Sequence, residues 1–198
     1  MTMRQVLRRP FVTTPFAERV DLGDRRIIVT GCSPGSLGYA TVQQLASWGA
    51  TVIVTTRRST RDVVAALNAE CAQHKHPGKI DGQQLDLSDA TSVNQFTQWY
   101  DRFYGERLDV LVNNAGITRD RSIAKMSDTD WAAVLNVNLT GTFNMIRAVA
   151  PRMAKQGFGR IVNITSINGL RGKFGQANYS AAKAGLIGLT KTAARELG

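Results

Sequence analysis

Short apolar runs alternate with longer segments of helical periodicity along most of the chain. RIIVT and TVIVTT are apolar or β-branched at consecutive positions, which predicts strands that are buried on both faces. KIDGQQLDL predicts a weaker strand, whereas LDVLVNNAG and GRIVNITS each run from apolar residues into polar ones. The predicted strands therefore cover residues 26–30, 51–56, 79–87, 108–116 and 159–166.

Apolar residues recur at helical spacing in the segments between these strands. In the first segment Leu37, Leu45 and Trp48 fall on one helix face, and Gly49 is a typical helix stop. Ser127 or Asp128 marks the start of a long helix. The predicted helices cover residues 36–49, 60–75, 89–104, 128–154 and 179–197.

Five strands that alternate with helices predict an α/β fold of three layers, with a doubly wound parallel sheet between two layers of helices. Parallel strands need crossover connections, and these are right-handed. Ligands of such sheets bind at the carboxyl ends of the strands, where the strand order reverses. Glycines and polar residues cluster at these ends, which favours a functional site there: Gly31 to Gly38, Arg57, Asp86, Asn113 to Gly116 and Ser166.

Length, composition and charge narrow the class of protein. The 198 residues fit one domain, and no apolar run is long enough to span a membrane. The net charge is +10, but the basic residues are scattered and no nucleic-acid-binding motif accompanies them. The excess charge instead favours partners that carry phosphate. We therefore expect neither a nucleic-acid partner nor membrane association.

The first 24 residues are rich in arginine and are predicted to form a basic N-terminal arm, with one domain over residues 25–198. The arm loosely resembles a mitochondrial transit peptide, but it lacks serine and contains two prolines. The two cysteines, Cys32 and Cys71, are too few for a disulfide framework and suit a reducing compartment. We expect a cytoplasmic protein.

Ser166, Tyr179 and Lys183 form the most informative constellation of reactive side chains. Tyr179 and Lys183 are four residues apart near the start of a predicted helix, so they share one face. Ser166 ends the preceding strand, thirteen residues earlier, and can meet them at the sheet edge. A tyrosine and a lysine at this spacing occur by chance in many helices, but the glycine turn and NNAG give the pattern specificity.

Together these motifs resemble the short-chain dehydrogenase/reductase family from about residue 24 to the last residue. The matching stretches are TGCSPGSLG, DLSD, NNAG, NVNLTG, Ser166 and YSAAK. NNAGITRD and the segment from INGLRG to the last residue are similar to 3-oxoacyl-[acyl-carrier-protein] reductases and acetoacetyl-CoA reductases. The fold implied is a Rossmann-type domain.

The resemblance implies a role for each reactive side chain. Tyr179 donates a proton to the substrate carbonyl as hydride arrives from the nicotinamide, and Ser166 positions the carbonyl oxygen. Lys183 stabilises the phenolate and holds the nicotinamide ribose. Asn138 takes the fourth catalytic position, where it anchors a water that relays protons to the lysine. Asn136 competes for that position, and we favour Asn138 on its spacing of 25 residues from Asn113.

The cofactor is predicted to be NADP(H), because no acidic residue follows the second strand. Arg57 and Arg58 stand there instead, and arginine accommodates a 2′-phosphate where an acid would bind the ribose hydroxyl of NAD. The alternative is that both arginines are solvated surface charges. Further cofactor contacts are predicted from the family motifs at Gly31, Ser33, Gly35, Ser36, Leu37, Gly38, Asp86, Leu87, Asn113, Ala115, Gly116, Tyr179 and Lys183.

The glycine turn departs from the family pattern because its third glycine, Gly38, comes one residue late. Gly31 permits a tight turn, Gly35 allows the backbone to approach a pyrophosphate, and the helix N-terminus supplies donors. Pro34 removes one of these donors. We expect the phosphate-binding role to rest mainly on Gly31 and Gly35, with a hydroxyl from Ser33 or Ser36.

Two further features bear on the function. Cys71, His74 and His76 lie close in sequence but lack a fourth ligand, so we expect no metal site. Family members normally continue past the catalytic helix, so we expect an incomplete domain that lacks the last strands and leaves the fifth strand at an exposed edge.

The predicted function is reduction of a 3-oxoacyl thioester, carried by coenzyme A or acyl carrier protein, by a dimer or tetramer. The alternatives are a non-catalytic dinucleotide-binding or interaction module, and a short-chain dehydrogenase acting on another ketone or alcohol.

Overall fold

The computed structural model of the protein describes residues 20–198. Most of the predicted basic arm, residues 1–19, lies outside the described residues. The five strands are β1 (Arg26–Thr30), β2 (Thr51–Thr56), β3 (Lys79–Gln84), β4 (Val110–Asn113) and β5 (Arg160–Asn163). They form one parallel sheet in the order β3-β2-β1-β4-β5.

Helices cover both faces of the sheet. They are α1 (Leu37–Ser47), α2 (Arg61–His74), α3 (Ala90–Tyr104), α4 (Asp128–Leu135), α5 (Gly141–Lys155), α6 (Asn168–Arg171) and α7 (Ala177–Leu197). α1 and α2 pack on one face, α3 and α5 pack on the other, and α7 packs against α4, α5 and α6. The predicted three-layer Rossmann-type fold is confirmed.

The central strands are apolar at consecutive positions because each face of the sheet has its own core. Ile27 and Val29 of β1 pack with α1 and α2, whereas Ile28 between them packs with α3 and α5. Alternate residues of a strand point to opposite faces, so a strand buried on both sides needs apolar residues throughout. β5 forms an edge of the described sheet, paired only with β4, as the sequence predicts.

The predicted long helix over 128–154 is interrupted. Five residues in its middle, Asn136–Thr140, form a turn of π-helix between α4 and α5. Such π turns are frequent at functional sites. The π turn here contains Asn138, which is completely buried.

The amino end of the sheet holds a buried carboxylate. Asp109 is 2% exposed and accepts hydrogen bonds from Arg25 at 3.1 Å, from Arg107 at 3.2 Å and from the backbone N–H of Arg26 at 2.9 Å. Burial alone would raise the pKa of Asp109, but the hydrogen bonds and the two guanidinium charges outweigh it and lower the pKa.

Replacing Asp109 with asparagine is expected to lower the free energy of unfolding by about 2 kcal/mol at neutral pH, since hydrogen bonds to a charged group are lost. Because the pKa of Asp109 is lowered in the folded state, its contribution is complete above the unfolded value near 4 and disappears as pH falls through the folded value. Urea unfolding of both proteins in a pH series checks this expectation. A difference between the two proteins that stays constant on acidification would contradict it.

Candidate active site

A large cleft opens at the carboxyl ends of the strands, where the strand order reverses between β1 and β4. Its volume is about 950 Å³, enough for a dinucleotide-sized ligand. Nine of the predicted cofactor contacts line it: Gly31, Ser33, Ser36, Arg57, Arg58, Asp86, Leu87, Ala115 and Gly116. The sheet topology therefore brings residues from four separate loops into one cleft.

The loop between β1 and α1 is shaped by two glycines in left-handed conformation. Gly31 and Gly35 both have φ of +74°, a region that residues with a side chain rarely adopt. A Cβ atom at Gly31 would also lie 2.6 Å from the Cα of Ala115 in the loop after β4. The close approach of these two loops therefore requires glycine at position 31.

Gly38 in the first turn of α1 is constrained at least as strongly. A Cβ atom there would lie 2.5 Å from Nδ2 of Asn114 and 2.7 Å from the carbonyl oxygen of Gly31. The third glycine therefore allows α1 to pack closely against the loops that form the cleft. The extra residue lies between Gly35 and Gly38, where Ser36 caps α1 and the helix begins at Leu37.

The two serines of this loop differ in their availability to a ligand. Ser36 is the N-cap of α1: its Oγ accepts from the N–H of Tyr39 at 3.2 Å and donates to the carbonyl of Gly31 at 3.4 Å. Ser33 is exposed, lines the cleft and forms no side-chain hydrogen bond to the described residues. Ser33 therefore presents a free hydroxyl at the cleft, whereas the hydroxyl of Ser36 is used in capping α1.

The cysteine in the same loop is inert. Cys32 is completely buried, and its thiol donates to the carbonyl of Val29 at 3.1 Å. Burial raises the pKa of Cys32 to about 12, which removes its thiolate at neutral pH.

The two asparagines of the NNAG motif form hydrogen bonds with different parts of the fold. Asn113 is the last residue of β4, is buried, and donates its amide to Asn163 of β5 at 2.8 Å, outside the cleft lining. Asn114 lines the cleft and donates to the carbonyls of Thr30 and Gly31 at 2.9 and 3.0 Å. Sequence reasoning did not single out Asn114 as the brace between the two loops, although its place in NNAG was a usable signal.

Arg57 and Arg58 follow β2 at one end of the cleft. Both side chains are exposed, and neither has a carboxylate within 4 Å among residues 20–198. The cleft also contains Asp86, whose Oδ1 accepts from the N–H of Ser88 at 2.9 Å and from its hydroxyl at 2.6 Å, and Asp62 at the start of α2. Two unpaired guanidinium groups suit an anionic group of a ligand.

Lys183 and Asn138 lie together against Gly116, beside the cleft. A Cβ atom at Gly116 would be 3.4 Å from Oδ1 of Asn138 and 3.7 Å from Nζ of Lys183. Lys183 is 3% exposed, and its Nζ donates to the carbonyl of Ile164 at 2.6 Å. Burial lowers the pKa of Lys183, and no described carboxylate pairs with it.

Asn138 fixes the loop that follows β4. Its Oδ1 accepts from the N–H of Ile117 at 2.8 Å, and its Nδ2 donates to the carbonyl of the same residue at 2.9 Å. One amide proton and one lone pair of the side chain remain for another partner. Asn136, its competitor in the sequence, is exposed.

Tyr179 lies one helical turn before Lys183 in α7, with the Nζ of Lys183 at 5.7 Å from the centre of its ring. The start of α7 is anchored by the buried Asn178, which donates to the carbonyls of Arg119 and Asp130 at 3.0 and 3.1 Å. Tyr179 itself is half-buried. The anchored helix end holds the phenol beside the loop after β4.

Ser166 lies between β5 and α6. Its Oγ accepts from the N–H of Asn168 at 3.2 Å, which leaves the hydroxyl proton free to donate elsewhere. A Cβ atom at Gly169 would lie 2.8 Å from the backbone of Lys183, so α6 packs directly on the helix that carries Tyr179 and Lys183.

The chain matches a family of known proteins. The family model of the short chain dehydrogenases matches residues 25–198. The chain belongs to this family. The resemblance predicted from the motifs is therefore confirmed.

Three curated relatives show where in the family the similarity lies. The chain is 44% identical over 170 residues to the 3-oxoacyl-[acyl-carrier-protein] reductase FabG of Thermotoga maritima, covering 86% of this chain and 67% of the relative. It is 46% identical over 171 residues to FabG of Aquifex aeolicus, covering 86% and 66%. It is 41% identical over 172 residues to the acetoacetyl-CoA reductase of Allochromatium vinosum, covering 87% and 68%. The chain thus spans about two thirds of the length of these relatives.

Neither a metal cluster nor a membrane-spanning helix is present in the described part of the chain. No three histidine, cysteine or acidic side chains converge there as a metal site would require. Cys71 is buried, and His74 and His76 stack on each other with ring centres 5.5 Å apart. No helix among residues 20–198 is both long and apolar enough to cross a bilayer.

Proposed function

We propose that this protein is an NADP-dependent reductase that converts a 3-oxoacyl thioester into the 3-hydroxyacyl product. The observation that carries the proposal is the close approach of Lys183 and Asn138 to Gly116, with the ring of Tyr179 beside Lys183. Gly116 lines the same cleft as Arg57 and Arg58. The similarity to reductases of 3-oxoacyl-[acyl-carrier-protein] and of acetoacetyl-CoA supports the substrate class.

The residues of the cleft fit a dinucleotide that bears a 2′-phosphate. Left-handed glycines and the close contact of Gly31 with Ala115 allow backbone to approach a pyrophosphate, and Ser33 supplies a free hydroxyl. Arg57 and Arg58, which form no ion pair within residues 20–198, would hold the 2′-phosphate. NADPH, when bound, supplies the hydride for the C3 carbonyl carbon of the substrate.

The chain's own residues complete the reduction. Ser166 donates its free hydroxyl proton in a hydrogen bond to the carbonyl oxygen, which orients the carbonyl. Tyr179 transfers its phenolic proton to that oxygen as negative charge develops on it. Lys183 stabilises the resulting phenolate, and Asn138 offers its remaining amide proton and lone pair to a water through which the phenol is reprotonated.

Assembly and compartment are further parts of this proposal. An association of two or four copies through α4, α5 and α7 is supported by Trp131 and Phe143, which are 43% and 42% exposed on α4 and α5. A cytoplasmic location is supported by two unpaired cysteines. The thioester is carried by coenzyme A or by acyl carrier protein.

The experiment that tests the function follows oxidation of NADPH with acetoacetyl-CoA as substrate, with 3-hydroxybutyryl-CoA measured as the product. The proposal expects turnover that depends on the thioester. A protein that binds NADPH without turning over any 3-oxoacyl thioester would overturn the assignment and favour a dinucleotide-binding module.

The double variant Arg57→Ala/Arg58→Ala is expected to bind NADPH about 10- to 100-fold more weakly, because charge-assisted hydrogen bonds to the 2′-phosphate are lost. Binding of NADH, which has no such phosphate, is expected to stay within about twofold. Fluorescence titration with each cofactor measures both values. Arg61→Ala is the matched control, since Arg61 is exposed close by in sequence but does not line the cleft. Equal losses for both cofactors would show that the arginines do not recognise the phosphate.

A further inference from the structure

The backbone of the turn that carries Arg57 and Arg58 accepts hydrogen bonds from two side chains of the sheet. The hydroxyl of Thr56 donates to the carbonyl of Arg58 at 2.7 Å and lies 3.4 Å from the carbonyl of Ser59. The amide of Gln84 donates to the carbonyl of Arg57 at 3.0 Å. Three consecutive carbonyl groups of the turn therefore face donors supplied by the protein.

The two donors are neighbours because of the strand register. Thr56 is the last residue of β2 and Gln84 is the last residue of β3, and they are paired directly across the ladder. The N–H of Leu85 donates to the carbonyl of Thr56 at 2.9 Å, which is the last backbone hydrogen bond between the two chain segments at this end of the sheet. The positions of both donors are thus set by the sheet rather than by the turn.

Fixing these carbonyls matters for an anionic ligand. A carbonyl oxygen carries partial negative charge, and one that faced the cleft beside the two arginines would repel a phosphate. The carbonyl oxygens of Arg57 and Arg58 already accept from Gln84 and Thr56, so part of their negative charge is compensated, while Arg57 and Arg58 line the cleft. A turn held before the ligand arrives also loses less conformational freedom on binding.

We infer that Gln84 and Thr56 are positioning residues for recognition of the cofactor's 2′-phosphate. They act through the backbone of the turn that presents Arg57 and Arg58; Thr56 also lines the cleft, whereas Gln84 lies outside its lining. The inference rests on the proposed use of NADP(H). It assigns part of the cofactor preference to the end of β3, on the far side of β2 from the phosphate-binding loop.

The test replaces Gln84 with alanine and uses Gln83→Ala as its control. Gln83 is the same residue type one position earlier in β3, and its side chain forms no hydrogen bond to the described part of the turn. Calorimetric titration gives the Kd of NADPH, NADH, adenosine 2′,5′-bisphosphate and 5′-AMP. We expect Gln84→Ala to weaken the two 2′-phosphorylated ligands about fivefold and the other two less than about twofold, with Gln83→Ala leaving all four unchanged.

Two variants of Thr56 distinguish loss of the hydrogen bond from a general loss of structure. Thr56→Ser keeps the hydroxyl and is expected to keep the preference for 2′-phosphorylated ligands, whereas Thr56→Val keeps the shape, loses the donor and is expected to lose part of that preference. Thermal unfolding of each variant records stability separately.

The outcomes separate this inference from the proposed function. Wild-type protein that binds NADPH and NADH equally would overturn the cofactor assignment and the inference together. Wild-type protein that prefers NADPH while Gln84→Ala and Thr56→Val keep the full preference would overturn the inference alone. Variants that weaken all four ligands equally would likewise overturn it, because they would show a structural role without recognition of the phosphate.

Discussion

Replacing Tyr179 with phenylalanine is expected to lower kcat for reduction of acetoacetyl-CoA by about a thousandfold. The substitution removes only the phenolic hydroxyl, so the developing oxyanion loses its proton donor while the ring stays beside Lys183. Proton transfer by a positioned side chain contributes 10²- to 10⁴-fold to many enzymes, so a thousandfold loss is about the middle of that range. The measurement is the rate of NADPH oxidation at saturating thioester.

Binding of NADPH by this variant is expected to stay within about twofold of wild type, which separates chemistry from cofactor affinity. Tyr104→Phe is the matched control, because it removes a hydroxyl at the end of α3 that donates to Asp81 of β3 at 2.5 Å, outside the cleft lining. Tyr104→Phe is expected to turn over at the wild-type rate. Equal rates for Tyr179→Phe and wild type would remove Tyr179 as the proton donor.

The variant Gly38→Ala is expected to lower the free energy of unfolding by about 1–3 kcal/mol and to weaken NADPH binding. The new methyl group would lie 2.5 Å from Nδ2 of Asn114 and 2.7 Å from the carbonyl oxygen of Gly31. Neither neighbour can move easily, since Gly31 contributes backbone and Asn114 is bonded to Thr30 and Gly31. α1 must therefore shift away from the cleft and take its N-terminal donors with it.

Gly188→Ala is the control for this prediction. Gly188 also lies within a helix, but a Cβ atom there meets no described atom within 4 Å. Alanine is intrinsically better than glycine in a helix, so Gly188→Ala is expected to stabilise the protein by up to about 1 kcal/mol. Urea unfolding and NADPH titration compare the two variants. Wild-type stability and affinity in Gly38→Ala would contradict the packing role.

The sequence pattern predicts β1 and β2 correctly because both strands are buried on both faces of the sheet. RIIVT and TVIVTT each contain three consecutive apolar residues, and β1 and β2 have the bounds that the sequence predicts. The strand predicted over 79–87 ends at Gln84 instead, because Leu85 and Leu87 pack with α3 and α5 after the ladder has finished. Local pattern thus identified each strand, and pairing decided where the weaker ones end.

The helix pattern was less complete where long-range contacts change the backbone. Helical periodicity runs through 128–154 without a break, yet the chain widens into a π turn at Asn136–Thr140. The side-chain amide of Asn138 both accepts from and donates to the backbone of Ile117, which is 21 residues away in sequence. α6 has only four residues, too few for a periodic signal.

The sequence by itself determined the layered α/β fold, the family and the chemical types of the candidate residues, because apolar periodicity and local motifs are properties of neighbouring residues. Only the tertiary structure decided which amide of NNAG faces the cleft, why Gly38 must be glycine, and that Gln84 holds the turn of Arg57. Each of these depends on partners 27 to 84 residues away in sequence. Strand order and register bring those partners together, and no local pattern records them.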